Sequence, residues 1–225
     1  MWCVADLTPA YLARMEAVLA LYERPWNPRE PVVCLDEKPV TLRADVRATR
    51  PARPRGLARR DYEYRRCGTA NLFCAVEPKA GRHFVKATAN RTARQFAGML
   101  RDLSRAYPAA ATVHLVVDNL STHSRKSLTD RYGMAAGTRL WDRFTVHYTP
   151  KHGSWLNQAE IEISLVSRQC LGHRRIADLA ELRRATAAWA RRANRRRTRV
   201  NWTFDRRKAR RVFRYKRPDI TRSKD

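Results

Sequence analysis

Two short apolar runs, each associated with an aspartate, most strongly constrain what this chain can fold into. The run PVVCLDEKPV (31–40) is rich in Val, is bounded by prolines and contains Asp36. The run TVHLVV (112–117) ends directly before Asp118. Short continuous apolar runs of this kind are typical of strands that are buried on both faces of a sheet. The two aspartates are therefore predicted to lie in or beside the core.

Apolar spacing, prolines and turn residues predict the other elements of the fold. Helices are expected at 8–23, 92–106, about 126–132, 154–171 and 176–192, and further strands at 70–76, 83–88 and 144–148. The strands at 70–76 and 83–88 are expected to pair as an antiparallel hairpin. This order predicts an α/β fold, with helices packed on a mixed sheet.

The charge of the chain indicates a polyanionic partner. The 225 residues include 47 Lys or Arg and 21 Asp or Glu, a net charge of +26, and 44% are hydrophobic, enough for the core of one domain. Residues 172–225 hold 20 basic and 5 acidic residues, with aromatic rings interleaved, as in surfaces that bind nucleic acid while some rings pack or stack. The Arg-rich loop at 43–66 either borders nucleic acid or is a solvated insertion.

The cysteines and the hydropathy pattern argue against several other classes of protein. The cysteines are odd in number and include no C-x-x-C pair, so they are predicted to be reduced packing residues: Cys3, Cys34, Cys67, Cys74 and Cys170. No apolar run approaches the ~18 residues that a membrane span needs. The opening segment does not resemble a signal peptide, and the chain is expected to be cytosolic.

Carboxylates inside apolar strands need a compensating partner, because an isolated buried charge costs several kcal/mol. Asp36 and Asp118 come together if their strands are neighbours in the sheet. Two adjacent anions repel each other, and a divalent metal ion would remove that repulsion. Oxygen ligands favour magnesium or manganese.

A third acidic residue is expected on the helix that begins near Ser154. Glu160 shares a polar stripe with Asn157 and Ser164, whereas Glu162 is rotated about 200° away at ~100° per residue. Only one of the two glutamates can join the site, and Glu160 is the better placed to reach the strand ends.

Several neighbouring residues have simpler interpretations. Glu37 points to the strand face opposite Asp36 and is expected to pair with Lys38 or a nearby Arg rather than to bind metal. Asn119 and His123 either act directly in the site or only shape a turn and cap it. Asn157 is expected to hydrogen-bond a ligand carboxylate.

Two further groups of residues could belong to a metal or nucleic-acid site. The spacing of His147, His152 and Cys170 fits no familiar zinc pattern. The arginines after the last predicted helix either contact phosphates or form a solvated helix end: Arg195, Arg196, Arg197 and Arg199.

The segments LDEKP, VVDNLSTHS and TPKHGSWLNQAE together resemble the catalytic core of DDE transposases of the Tc/mariner superfamily, specifically the bacterial insertion sequence six-thirty family. Asp36, Asp118 and Glu160 match the three acids of that family, with 81 and 41 residues between them. The resemblance implies an RNase H-like mixed sheet flanked by helices. It also implies a catalytic core at 31–172, preceded by a linker helix remaining from an N-terminal region (1–30) and followed by a basic C-terminal helix and tail (173–225).

The resemblance implies a transposase catalytic domain that cleaves DNA ends and transfers them into target DNA. Asp36, Asp118 and Glu160 would hold two Mg²⁺ ions, with Mn²⁺ as a substitute. The implied partners are terminal inverted repeats, a TA target and a second copy of the chain in a homodimer on DNA. The implied location is the bacterial cytoplasm, at the nucleoid.

One feature of that family is missing before residue 31. Only the helix at 8–23 stands where family members carry helix-turn-helix segments, so the chain is expected to be a catalytic half that works with a separate N-terminal helix-turn-helix chain. The alternative is an inactive truncated fragment that only binds DNA or an intact transposase. A structure-directed nuclease on the same fold would also account for the acids, but not for the match around Asn157 and Glu160.

Overall fold

The computed structural model describes residues 6–216 except 49, 51, 55, 56, 58 and 60. Cys3 and the last part of the basic tail, 217–225, lie outside the described residues. The strands are β1 Val32–Asp45, β2 Tyr64–Glu77, β3 Arg82–Thr88, β4 Val113–Val117 and β5 Phe144–Tyr148. The α-helices are α1 Pro9–Glu23, α2 Ala93–Ala106, α3 Arg125–Tyr132, α4 Met134–Trp141, α5 Ala159–Val166, α6 Leu179–Arg196 and α7 Arg206–Phe213.

The five strands form one mixed sheet in the order β3-β2-β1-β4-β5. The β1, β2 and β3 strands pair antiparallel, whereas β4 and β5 run parallel to β1. The predicted α/β class and the predicted hairpin are therefore confirmed. In the described part of the chain, no helix is both long enough and apolar enough to cross a bilayer.

Each face of the sheet carries its own core. On one face, Phe73 and Leu115 pack with Phe96 of α2, and all three side chains are fully buried. On the other face, α1 covers the middle of the sheet and α6 covers β2 and β3. Full burial of a large apolar side chain contributes roughly 1.5–3 kcal/mol, so these two layers hold the strand ends in place.

The first strand is longer than its apolar run predicts. It was expected to end at residue 40 but continues to Asp45, and β2 begins at Tyr64 instead of residue 70. The ends of the predicted basic loop at 43–66 are therefore paired strand. Pro39 is tolerated in β1 because the pairing with β4 ends at Cys34, which leaves that edge of β1 open.

The long helix predicted over 154–171 is instead three pieces. A 3₁₀ turn (Ser154–Leu156) precedes α5, and a π-helical turn (Ser167–Leu171) follows it. The interruption comes from Asn157, whose backbone is extended and whose Oδ1 accepts a hydrogen bond from the Ala159 amide at 3.1 Å. Apolar spacing continues across this break, so periodicity alone does not detect it.

The remaining differences concern helix ends and charged helices. The helix expected at 176–192 is α6, which begins after Asp178, whose side chain accepts a hydrogen bond from the Glu181 amide at 2.7 Å. Helices α4 and α7 had no prediction. The apolar residues of α7, Ala209, Val212 and Phe213, have helical spacing, and Asp205 caps the helix through the Lys208 amide at 2.7 Å.

The hairpin turn between β2 and β3 packs against the end of α6 with no room for a side chain. Gly81 has φ +66°, and a Cβ there would lie 2.6 Å from the carbonyl carbon and oxygen of Arg197. Gly68 also has a positive φ, +102°, but nothing lies within 4 Å of its Cβ position. At Gly81 both the backbone conformation and the lack of space require glycine, whereas at Gly68 only the backbone conformation does.

We expect Gly81→Ala to lower the free energy of unfolding by about 2 kcal/mol or more, because it combines a strained backbone with a backbone clash. Gly68→Ala should cost less, since only the backbone conformation opposes it. Urea denaturation of both variants measures the difference. Equal losses would show that the turn moves away from α6 at little cost.

Candidate active site

The two aspartates predicted from the apolar runs lie side by side. Cys34 of β1 is in register with Val116 of β4, and Asp36 and Asp118 each follow two residues later. Successive side chains of a strand alternate between faces, so both aspartates belong to the face that carries α1 and α5. The structure thus brings these two predicted residues to the same level of neighbouring parallel strands.

Glu160 faces this pair from the first turn of α5. The Asn157 side-chain amide donates to the Leu35 carbonyl oxygen at 2.9 Å, which ties the start of α5 to β1 beside Asp36. Asn157 was predicted to bond a ligand carboxylate, and that prediction is wrong, because its partners are the main chain of Leu35 and Ala159. Glu160 itself is exposed.

Electrostatics show that the three acids are close enough to affect one another. Burial raises the pKa of Asp36 to about 7, and the negative charges of Glu160, Glu37 and Asp118 add to that rise, while the Glu37 amide opposes it. A carboxyl group in this setting is only partly ionised at neutral pH unless a cation compensates. The pair and Glu160 therefore make a site that favours positive charge.

The donor set fits a hard divalent cation in chemistry and charge. Carboxylate oxygens on two strand ends and a helix are the ligands that Mg²⁺ and Mn²⁺ prefer. Within the ranges that the structure describes, no three His, Cys, Asp or Glu side chains lie close enough to hold a metal ion as they stand. The exposed Glu160 is the member with the most freedom to move inward.

His123 lies buried between two carboxylates and bridges them. Its Nδ1 donates to Asp118 Oδ1 at 2.8 Å, and its Nε2 donates to Glu37 Oε1 at 2.8 Å. Glu37 does point away from Asp36, but its predicted pairing with Lys38 or an arginine is wrong, because its partner is His123. Sequence spacing could not reveal this bridge, since the partners are 86 residues apart.

The bridge sets the protonation of its members. Burial lowers the pKa of His123, but the hydrogen bonds and charges of Asp118 and Glu37 outweigh it and raise that pKa to about 9. The hydrogen bond from His123 is the largest cause that holds the pKa of Asp118 below its usual value. His123 is thus a cation at neutral pH that keeps Asp118 ionised and oriented.

The side chain of Asn119, which is adjacent to Asp118, connects two neighbouring segments of the chain. Its side-chain amide donates to the Thr149 carbonyl oxygen, and its Oδ1 accepts from Arg14 at 3.2 Å. These contacts tie together the exits of β4 and β5. They favour the turn-shaping role among the two that the sequence left open.

Glu162 is two residues from Glu160 but belongs to a different environment. It is fully buried, and its Oε2 accepts from His83 Nδ1 at 2.8 Å. Burial raises its pKa, while His83 opposes that shift. The helical rotation predicted from the sequence thus separates an exposed acid beside the aspartates from a buried one that anchors α5 to β3.

The other sequence candidates have structural partners. His147 Nε2 lies 2.9 Å from His114 Nδ1, and Cys170 is buried beneath α6. Cys34 and Cys74 are buried as predicted, and Cys67 is partly exposed. The aromatic rings of the basic C-terminal segment pack on α1 and each other rather than forming an open stacking surface: Trp202, Phe204, Phe213 and Tyr215.

A family model for DDE superfamily endonucleases matches residues 31–183, about two thirds of the chain. This chain belongs to the DDE superfamily endonucleases. A search of curated proteins found no match. The segment that matches this family contains both aspartates, Glu160 and the whole of the five-stranded sheet.

This DDE superfamily chain has an RNase H-like fold, which it shares with solved transposase structures. The Mos1 mariner paired-end complex with Mn matches with a TM-score of 0.54 and 15% identity, over 87% of this chain and 60% of that chain. The Mos1 strand transfer complex matches with a TM-score of 0.54 and 13% identity, over 90% of this chain and 66% of that chain. At this identity the likeness establishes the fold, and this chain spans about 60% of the length of the first.

We expect His123→Gln to lower the free energy of unfolding by about 3 kcal/mol at pH 6, because it leaves the buried carboxylate of Glu37 without a cationic partner. The folded pKa of about 9 lies above the ordinary 6.5, so the stability from His123 is complete below pH 6.5. That stability is lost as the pH rises toward 9. Urea denaturation in EDTA across this pH range measures the loss.

His147→Gln is the matched control for this series. The pKa of His147 is lowered to about 4, mainly by burial, so this residue is neutral in both the folded and unfolded chain above pH 6.5. The stability change that this control causes should be constant from pH 7 to 9. A His123→Gln effect that is equally constant would refute a charged bridge.

Proposed function

We propose that this DDE superfamily endonuclease is the catalytic part of a transposase of the Tc/mariner superfamily, within the insertion sequence six-thirty family. It would cleave DNA at terminal inverted repeats and transfer the ends into a TA target, as a homodimer on DNA in the bacterial cytoplasm. The proposal is supported by the parallel register of β1 and β4, which brings Asp36 and Asp118 to one level, and by the charge of Glu160, which acts on Asp36.

Asp36, Asp118 and Glu160 would hold two divalent ions, Mg²⁺ or Mn²⁺. When bound, such ions activate the attacking hydroxyl and stabilise the leaving oxygen in phosphoryl transfer. Asp36 would contribute its carboxylate from the centre of the sheet, where burial keeps it in one position. Glu160 would approach from α5, whose start is held by Asn157.

His123 would act as a positioning residue in this mechanism. Its Nδ1 bonds one carboxylate oxygen of Asp118 at 2.8 Å. Hydrogen-bonded partners of this kind orient metal ligands, and their removal lowers metal affinity or activity. Glu37 in turn keeps the imidazole charged and oriented from the opposite face of β1.

The basic surface supports DNA as the substrate. The net charge of +26 favours binding to a polyanion. Mos1, whose solved structures this chain resembles, is a transposase, and those structures are described as paired-end and strand transfer complexes. The alternative, an inactive fragment that binds only DNA or an intact transposase, predicts the same binding without cleavage.

We expect Asp118→Asn and Glu160→Gln each to reduce Mn²⁺-dependent cleavage of DNA carrying the element's ends by at least about 100-fold, because each removes a negative ligand from the phosphoryl-transfer site. Binding to the same DNA in EDTA should be nearly unchanged. A gel assay of cleavage products and a fluorescence titration of binding measure the two effects separately.

Glu162→Gln is the matched control on the same helix. Its side chain faces His83 rather than the aspartates, and Gln retains a hydrogen-bonding group there, so cleavage should persist at a temperature where the variant is folded. An active Glu160→Gln enzyme with an inactive Glu162→Gln enzyme would reverse the assignment of the third acid.

The two proposed states of the chain are separated by adding an N-terminal helix-turn-helix chain in trans. Cleavage by the chain alone, or only after that addition, supports a working catalytic part. DNA binding without cleavage under both conditions supports the inactive fragment.

A further inference from the structure

A concave basic surface lies away from the carboxylates, where the β2–β3 turn meets the end of α6. This groove encloses about 670 Å³ and is lined by four cationic side chains from two separate segments, Lys79, Arg82, Arg197 and Arg199. Among the described residues that line it, none is acidic. We will call it the turn groove.

The walls of the turn groove are held by the main chain rather than by mobile side chains. The Val200 amide donates to the Pro78 carbonyl oxygen at 3.0 Å, and Gly81 allows the Arg197 carbonyl to approach the turn. Asn194 of α6 makes two hydrogen bonds with the His83 main chain, at 2.9 and 2.8 Å. Binding to a preformed groove costs little conformational entropy, because its walls are already ordered.

Its cations differ from the two α7 arginines that form ion pairs with α1. On α7, Arg206 and Arg210 are neutralised by Glu23 and Glu16 of α1. The four cations of the turn groove form no ion pair with any carboxylate in the part of the chain that the structure describes. Their charge is therefore available to an external anion.

Two of these cations are already positioned by contacts at their donor ends. The Arg82 guanidinium donates to the Ala106 carbonyl oxygen at 3.0 Å and stacks 4.2 Å from the Tyr107 ring centre. Lys79 donates to the Arg24 carbonyl oxygen. Arg197 and Arg199 are exposed and have neither restraint, so they are the two free to close on a ligand.

The turn groove lies at the edge of the sheet opposite the one that carries Asp118, because β2 runs antiparallel to β1 and β4 runs parallel to it. Asp36 is in register with Cys74, and the β2–β3 turn starts four residues further along β2, about 13 Å away at ~3.3 Å per residue. Trp26, 54% exposed with its indole N–H bonded to Glu77, adds an apolar wall beside the cations.

We propose that the turn groove binds the phosphate backbone of DNA as a contact separate from the carboxylate cluster. The inference rests on the proposed function only in taking DNA as the substrate. Phosphates match unpaired Arg and Lys side chains, and such contacts position a duplex without reading its sequence.

The test compares Arg197→Ala/Arg199→Ala with Arg139→Ala/Arg184→Ala, which removes the same charge from exposed sites on α4 and α6 outside the groove. Binding of a 30-base-pair duplex is followed by fluorescence anisotropy in EDTA over a range of NaCl concentrations. The slope of log K against log[salt] should fall by about 1 to 2 in the groove variant relative to the control, since each phosphate contact contributes ~0.9. The affinity at 0.1 M NaCl should fall roughly tenfold further than in the control.

Equal slopes and affinities in the two double variants would overturn the proposal. Arg199→Glu, a single change at an exposed residue, provides a second variant if the double variant unfolds, and circular dichroism checks each one. Since binding is measured without metal, a chain that never cleaves DNA but shows the slope difference retains the turn groove and loses the proposed catalysis. A chain that cleaves DNA without that difference shows the reverse.

Discussion

The burial of a charged imidazole between two carboxylates is the interaction on which the candidate site depends. Asp118 lies at a strand end beside Asp36, where two negative charges oppose each other. His123 compensates one of them from the far side of β1, because Glu37 reaches it from the opposite strand face. The alternation of side chains along a single strand thus supplies both an acid for the site and the support for its neighbour.

Helix α5 presents its two glutamates to different surroundings by the same kind of geometry. Its start is bonded to β1 through Asn157, and Glu162 is bonded to His83 in β3. With the helix held by these two contacts, Glu160 remains exposed on the side of the aspartates. A buried acid therefore fixes the orientation of the helix, and an exposed acid remains on the side of the aspartates.

The fold places some of the positive charge in internal ion pairs and leaves other cations unpaired. Part of it is structural, since α7 is held to α1 by two arginine–glutamate pairs and by packed aromatic rings. The turn groove contains cations that have no such partners among the described carboxylates. A net charge alone describes the whole surface, whereas the ion pairs show which part of it can meet an external anion.

The sequence by itself determined the class of the fold and predicted the three acids. Short Val-rich runs specify buried strands because only a covered sheet accommodates them, and β4 and β5 lie within a residue of their predicted bounds. Helical rotation separated Glu160 from Glu162 because that angle is a local property of the chain.

Only the tertiary structure decided the contacts between residues that are distant in sequence. Glu37 and His123 are 86 residues apart, and His83 and Glu162 are 79 apart. Nothing local to either residue specifies its partner, because such pairs form only when separate strands and helices are packed. The break in the helix at Asn157 has the same origin, since its amide satisfies a carbonyl of β1. Local periodicity thus specified most of the elements, and packing specified their ends and the hydrogen bonds between them.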